Sequence, residues 1–491
     1  MLINALNPPA LLPLLPTMMS VGELPQQQEQ LSIHSTNSSS QRSAATTTPL
    51  VALGDLDDDE DAGGHTLKDT VRAAINRRNA LRGNLEAKVG EKLYRLVPED
   101  QRHGGKMPFF MHRERGLHLD EREFTVDGVP ICATVLGTAL TCYWAGQEHA
   151  RRSEGLFFYI PKTESACEIA IYRDLFTACA ELMPHLRLTP LVREFTVKDD
   201  GRHALNASHD HGEEAPAVLT TIIRAIILIE SLPAVWEMEE MLYALRPYAA
   251  GLNAARWDLK ASIVEYSMGD PAAVWPDRFG VDVKSTPFLA GIFRRLVAVC
   301  LKHRAVAIGG MATALPSRDA GVNERAAASV RADKEWEARQ GFIRGWAAHV
   351  YHVSNAAAPF VELHASGWEP TPDMADPSNF PVIIEVPSGG GSNGDHVTRK
   401  GTRCNVRVLI RYARMITHMS TTRKKTQMYR IITGTLRAGW PVVEPWALTQ
   451  DGNVRPYLEA VMGEASISQM QRITNLLPRQ TWRWRTSQQH A

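Results

Sequence analysis

Two carboxylates stand at matching places along the chain. Glu230 ends the apolar run 222–229, and Asp258 follows the run 249–252 through Asn253 and Arg256-Trp257. They are 28 residues apart, the length of one strand–helix–strand step. On neighbouring parallel strands, about 4.8 Å apart, such groups converge on one ion. Two carboxylates completed by water and a substrate oxygen suit Mg2+, a hard cation that retains several waters. The competing structural reading has Glu230 capping the next helix and Asp258 paired with Arg256.

Other polar residues follow apolar runs in the same way. Phe109-Phe110-Met111 leads to Arg113 and Arg115, whose guanidinium groups can hold a carboxylate or a developing oxyanion or form salt bridges with Glu114 or Glu121. Ile160 leads to Lys162. The run 305–308 leads to Gly309-Gly310, which would let a ligand approach the backbone or make a tight turn. The acidic run Asp57-Asp58-Asp59-Glu60-Asp61 reads as a solvated loop. His209 and His211 are two possible metal ligands without a scaffold, and the triple glycine 389–391 lacks the Lys-Ser/Thr of a phosphate loop and reads as a linker. No Gly-x-Ser-x-Gly elbow occurs, and no Gly-x-Gly-x-x-Gly follows a strand, so hydrolase-triad and dinucleotide readings have no support.

The elements that must position these groups are eight short apolar runs: 2–6, 50–56, 108–111, 156–160, 222–229, 249–252, 305–308 and 346–350. Continuous apolar runs of this length mark strands buried on both faces of a parallel sheet. Amphipathic text between them predicts helices over 233–246, with acids early and Arg246 late, and over 323–340, ending at Gly341. The fold class is α/β, a (β/α)8 barrel with polar residues on its C-terminal rim; an open doubly wound sheet reads similarly. The barrel spans 1–365, interrupted by a low-complexity insertion at 8–49 and a polar loop at 198–215 that reads as disordered. A loop or linker occupies 366–402, and 403–491 form a C-terminal helical segment.

The 491 residues include 54 Lys+Arg and 54 Asp+Glu, a neutral balance that argues against nucleic acid as a partner. The most apolar stretch, 217–236, contains Arg224 and Glu230, which are costly in lipid, so no membrane partner is expected. Six cysteines without C-x-x-C spacing suit reduced thiols. The apolar start lacks the basic region of a signal peptide, and the terminal Gln-Gln-His-Ala carries no peroxisomal address. The expectation is a soluble intracellular enzyme.

Longer motifs carry a resemblance. Leu228-Ile229-Glu230-Ser231-Leu232-Pro233-Ala234-Val235, Gly251-Leu252-Asn253-Ala254-Ala255-Arg256-Trp257-Asp258 and Ala307-Ile308-Gly309-Gly310-Met311-Ala312 closely resemble the shorter, A-type malate synthases. So do Arg113-Glu114-Arg115-Gly116-Leu117-His118-Leu119, Tyr159-Ile160-Pro161-Lys162-Thr163 and Arg331-Ala332-Asp333-Lys334-Glu335. Asp55-Leu56-Asp57-Asp58 resembles the acidic ending of that family's second barrel strand, and 2–6 its first strand. The resemblance implies a (β/α)8 barrel of the glyoxylate cycle that condenses acetyl-CoA with glyoxylate and releases malate and CoA. It implies Mg2+ on Glu230 and Asp258, enolate stabilisation by Arg113, and glyoxylate held by backbone N–H groups of Trp257 and Asp258. It places the protein in the cytosol or a peroxisome-like organelle.

The departures are specific. Ala255 replaces a glycine, His349-Val350 stands where His-Pro is usual, and the family's helical segment before the first strand is absent. The family's aspartate-bearing run, which supplies the general base, has no counterpart between Thr417 and Thr422, so no residue is assigned as base. The alternative function is therefore a homologue that binds a 2-oxo acid and Mg2+ with impaired turnover. A related barrel lyase of acyl-CoA esters explains the metal pair but not the long motifs.

Overall fold

The computed structural model describes residues 54–61, 63, 65–97, 108–188, 221–267, 281–284, 286–385 and 403. Along the chain run β1 (Gly54–Asp58), α1 (Leu67–Leu81), β2 (Glu86–Val89), β3 (Lys92–Arg95), β4 (Phe109–Arg113), β5 (Asp120–Val126), β6 (Val129–Cys132), α2 (Ala133–Arg151), β7 (Leu156–Ile160) and α3 (Ala166–Leu182). They are followed by β8 (Ile223–Ile229), α4 (Met238–Ala244), β9 (Ala249–Ala254), α5 (Arg256–Ser267), α6 (Pro287–Lys302), β10 (Val306–Ala312), α7 (Ala320–Arg339), β11 (Arg344–Ala347) and α8 (Val353–Ala365).

Seven of these strands form one sheet in the order β1-β4-β7-β8-β9-β10-β11, and every pairing in it is parallel. This is the curled sheet of a TIM barrel, with β1 and β11 at its edges. Seven of the eight expected runs are these strands; the eighth, 2–6, lies outside the described residues, as do the insertions 8–49 and 198–215 and nearly all of 403–491. The hairpins β2–β3 and β5–β6 are antiparallel additions on either side of β4.

The strands are apolar throughout because both faces are covered. Phe157 and Tyr159 join Met111, Ile226, Leu228 and Ile308 inside the curl, whereas Leu156, Phe158, Ile160, Ile227 and Ile229 pack outward against helices. Each fully buried side chain of this kind contributes about 1.5–3 kcal/mol. At Gly251 the strands approach so closely that a Cβ would fall on the Val306 main chain.

Helix boundaries follow their caps. Thr66 accepts from the Asp69 N–H at 3.1 Å, and Ser165 from the Glu168 N–H at 3.3 Å. The helix expected from 323 begins at Ala320 because Asp319 caps it, accepting from the Val322 N–H at 3.2 Å. Gly341 follows its end with φ 97°, the left-handed conformation expected there. The helix expected over 233–246 is instead a 3-10 turn, Pro233–Val235, followed by the short α4. At the break, Glu237 turns its carboxylate to the Ala166 N–H at the start of α3, 2.7 Å away.

Among the described residues no helix is long and apolar enough to cross a membrane. The five described cysteines are free thiols.

Candidate active site

The C-terminal ends of β1, β4, β7, β8 and β9 bring a group of charged side chains together. Glu230, immediately after β8, is 2% exposed. Its two oxygens are both held by Lys162 from the end of β7: Oε1 accepts the Lys162 backbone N–H at 2.6 Å, and Oε2 accepts from Nζ at 2.9 Å. The same ammonium lies 3.3 Å from Oδ1 of Asp258, in the first turn of α5. Lys162 takes up a left-handed backbone, φ 57°, to make this double contact. Burial opposes its charge, but Glu230, Asp258 and Glu60 outweigh burial and hold Lys162 firmly protonated. Burial raises the Glu230 carboxyl above its ordinary range, with Lys162 pulling the other way.

Glu230 and Asp258 thus both contact one ammonium, that of Lys162. Glu230 does not act as a helix cap, and Asp258 does not take up Arg256. Arg256 instead bonds Asp333 of α7 at 3.1 Å, and Lys284 reaches the same carboxylate at 2.5 Å. The donor chemistry fits a divalent cation: two hard carboxylates already meet around a positive charge. Among the described residues no third His, Cys, Asp or Glu joins them in a three-ligand cluster.

Arg113 ends β4. Its Nε and Nη2 donate to the two oxygens of Asp58 at 2.9 and 2.6 Å, and Nη2 also reaches Asp61 at 2.8 Å. Of the salt bridges expected of Arg113 and Arg115 with Glu114 or Glu121, that between Arg115 and Glu121 forms, whereas Arg113 makes neither. Arg115 is buried and donates to Glu121 at 2.7 Å and Thr70 at 3.0 Å. Glu114 is bound by Arg77 at 2.7 Å and Thr141 at 2.6 Å.

The acidic run 57–61 is not the solvated loop expected of it. Arg77 of α1 pairs with Asp57 and lies 3.0 Å from Asp59. His112 Nδ1 stands 3.0 Å from Asp57. Burial lifts Asp59 to about 7 against the pull of Arg77. Glu60 is 1% exposed, and neither of its carboxyl oxygens has a hydrogen-bond partner; Arg113 Nη1 is 3.7 Å away. Burial pushes its carboxyl up to about 8, opposed by Lys162 and Arg113.

Gly309-Gly310 makes no tight turn. Both lie within β10, and a Cβ on Gly309 would collide with Glu337, one of a buried pair from α7: Lys334 Nζ donates to Glu337 at 2.7 Å and to the Gly310 carbonyl, while Glu337 accepts the Gly310 N–H at 3.2 Å.

Trp257 lies in the first turn of α5 with its side chain half exposed. The first backbone bond of that helix is Leu259 N–H to Ala255 at 3.2 Å, so the Trp257 and Asp258 N–H groups precede the helical ladder. Such N–H groups and the helix dipole favour an anion. Residues 417–422 lie outside the described residues.

The role of Glu60 and the pairing of Lys162 escaped sequence reasoning. The available signal was position: each stands two residues beyond a parallel strand, as Glu230 stands one beyond β8.

A family model for the malate synthase TIM barrel domain matches residues 109–196 and 210–367. The chain is 32% identical over 360 residues to malate synthase of Myxococcus xanthus and 30% identical over 359 residues to malate synthase A of Escherichia coli, covering 72% of this chain in each case. The chain spans 58% of the length of each of these relatives. A Haloferax volcanii malate synthase structure aligns with a TM-score of 0.39 and 11% identity, over 86% of this chain and 89% of that one. By its sequence match and its parallel curled sheet, this chain belongs to the malate synthase family and carries that family's TIM barrel domain.

Proposed function

We propose that this chain is an acyltransferase that condenses acetyl-CoA with glyoxylate and water, giving malate and CoA in the glyoxylate cycle. The observation that carries the reading is the convergence of Glu230 and Asp258 on one cation position at the rim where Arg113 also stands. Family membership supplies the reaction; this geometry supplies places for its charges.

Glu230 and Asp258 would hold Mg2+ as anionic oxygen donors, and the bound ion would supply Lewis-acid polarisation of the glyoxylate aldehyde. The N–H groups of Trp257 and Asp258 would receive the glyoxylate carboxylate at the start of α5. Arg113 would stabilise the enolate oxygen that develops when a base, to which no described residue is assigned, takes a proton from the acetyl-CoA methyl. Asp58 and Asp61 fix the Arg113 guanidinium, so its donors are oriented before substrate arrives. The enolate carbon then bonds to the aldehyde carbon, the aldehyde oxygen takes up a proton to become the hydroxyl of malyl-CoA, and water cleaves the thioester to give malate and CoA.

The test is detection of malate from acetyl-CoA and glyoxylate with Mg2+ present. Malate formed in equal amount to free CoA supports the reading. Binding of glyoxylate without malate would refute it in favour of a binding protein, and cleavage of malyl-CoA without condensation would make the chain a lyase.

A further inference from the structure

Lys162 stands where a free cation would. One residue satisfies Glu230 twice, through its backbone N–H at 2.6 Å and its ammonium at 2.9 Å, and the same ammonium reaches Asp258 at 3.3 Å. A divalent ion bound by those two carboxylates and Lys162 Nζ cannot share this position. The ammonium must move.

Glu60 offers the place for it to go. This carboxyl is 1% exposed and both of its oxygens lack a hydrogen-bond partner. Leaving a buried carboxyl so unpaired costs free energy unless some other state of the site pairs it. Glu60 follows β1 and Lys162 follows β7, the strands on either side of β4, whose Arg113 lies 3.7 Å from Glu60, so both stand at one end of the same stretch of sheet. A lysine suits a transfer of this kind, because its four-carbon stem is flexible and its three donors rotate freely.

We propose that Lys162 is a tethered cation that keeps Glu230 and Asp258 together in the metal-free protein, and that an arriving divalent ion displaces its ammonium onto Glu60. The exchange leaves all three carboxylates partnered: two by the ion, one by lysine. Lys162 is then a positioning residue, and Glu60 the acceptor that makes the exchange favourable. The inference rests on the metal role proposed for Glu230 and Asp258.

The test is titration of the full chain with Mn2+ alone, followed by electron paramagnetic resonance, with no substrate present. Where the ammonium holds the site most of the time, its removal frees the competent state, and K162M binds Mn2+ about tenfold more tightly than wild type. E60Q binds it roughly threefold or more weakly while Lys162 is present, and has no effect in the K162M background. Equal or weaker binding in K162M overturns the proposal, as does an E60Q effect of the same size with and without Lys162. E60Q keeps Lys162 in place and decides the matter if K162M does not fold: unchanged affinity in E60Q overturns it. E230Q separates the two levels. Wild-type affinity in E230Q defeats the metal role itself, whereas lost binding there with K162M no tighter than wild type defeats the tethered cation alone.

Discussion

The Arg113 guanidinium is gripped in parallel by the Asp58 carboxylate, Nε at 2.9 Å and Nη2 at 2.6 Å, across the paired strands β1 and β4. This fork-to-fork contact fixes the plane of the arginine as well as its position. In Asp58→Asn one of the two accepting oxygens is lost and the guanidinium can tilt. Misplacement of a stabilising group by about 1 Å costs up to roughly 100-fold, so kcat is expected to fall by about ten- to a hundredfold, with the glyoxylate KM and Mn2+ affinity little changed. Steady-state kinetics with both substrates varied checks this; an unchanged kcat would remove Asp58 from the account.

At Gly251 the neighbouring strands β9 and β10 approach closely. A Cβ there meets the main chain of Val306, which cannot swing aside as a side-chain end can. Gly251→Ala therefore has to push β9 and β10 apart. A loss of about 1–3 kcal/mol in unfolding free energy is expected from such overpacking, measured by urea denaturation; wild-type stability would show that the strands yield freely.

The buried pair Lys334–Glu337 behaves differently from a surface ion pair. With Lys334 fully buried and Glu337 at 2% exposure, removing one partner strands the other in the protein. Lys334→Met is expected to destabilise by about 3–5 kcal/mol, and the double change Lys334→Met with Glu337→Met to recover most of that. Thermal melts of the single and double variants decide; equal losses in both would mean that the charges are not the cause.

His149 gives the fold an acid limit. Burial, then the neighbouring His112 and Arg152, holds its imidazole well below the usual histidine range. The folded state therefore refuses a proton that the unfolded chain accepts below about 6.5. The contribution is fully present above that pH and is lost as pH falls, by at most about 1.4 kcal/mol per pH unit. Asp55 works in the opposite sense: burial and Asp57 lift it to about 7, so its contribution declines as pH rises from about 4 to 7. The difference in stability between wild type and His149→Gln should accordingly shrink from pH 7 to pH 5. Chemical denaturation across that range checks it, and a difference that stays constant would mean His149 is protonated in the fold.

How much of this was legible from sequence depended on what each residue answers to. The strands β7 and β8 are continuous apolar runs because both faces are buried, and Glu230 and Asp258 were found because strand order alone carries them to one rim. Partner choice was not legible. The run 57–61 looks like any solvated acidic segment until Arg77, 16 residues beyond it, and His112 are brought against it by α1 and β4. Gly309-Gly310 read equally well as a tight turn, because nothing local announces that β10 runs through it or that α7 sends Glu337 against Gly309. The helix expected over 233–246 broke at Glu237 for the same reason, a tertiary contact with Ala166.

The central claim is that Glu230 anchors the cation on which condensation depends. The most direct measurement is the rate of thiol release from acetyl-CoA, with glyoxylate and Mg2+ present, in the wild-type chain and in Glu230→Gln. The account predicts release in the wild type that requires both glyoxylate and Mg2+, and a loss of about a hundredfold or more in the variant, the scale of removing a group that positions an electrostatic stabiliser. Thiol release at the wild-type rate in Glu230→Gln, or none from the wild type with both additions, would contradict it.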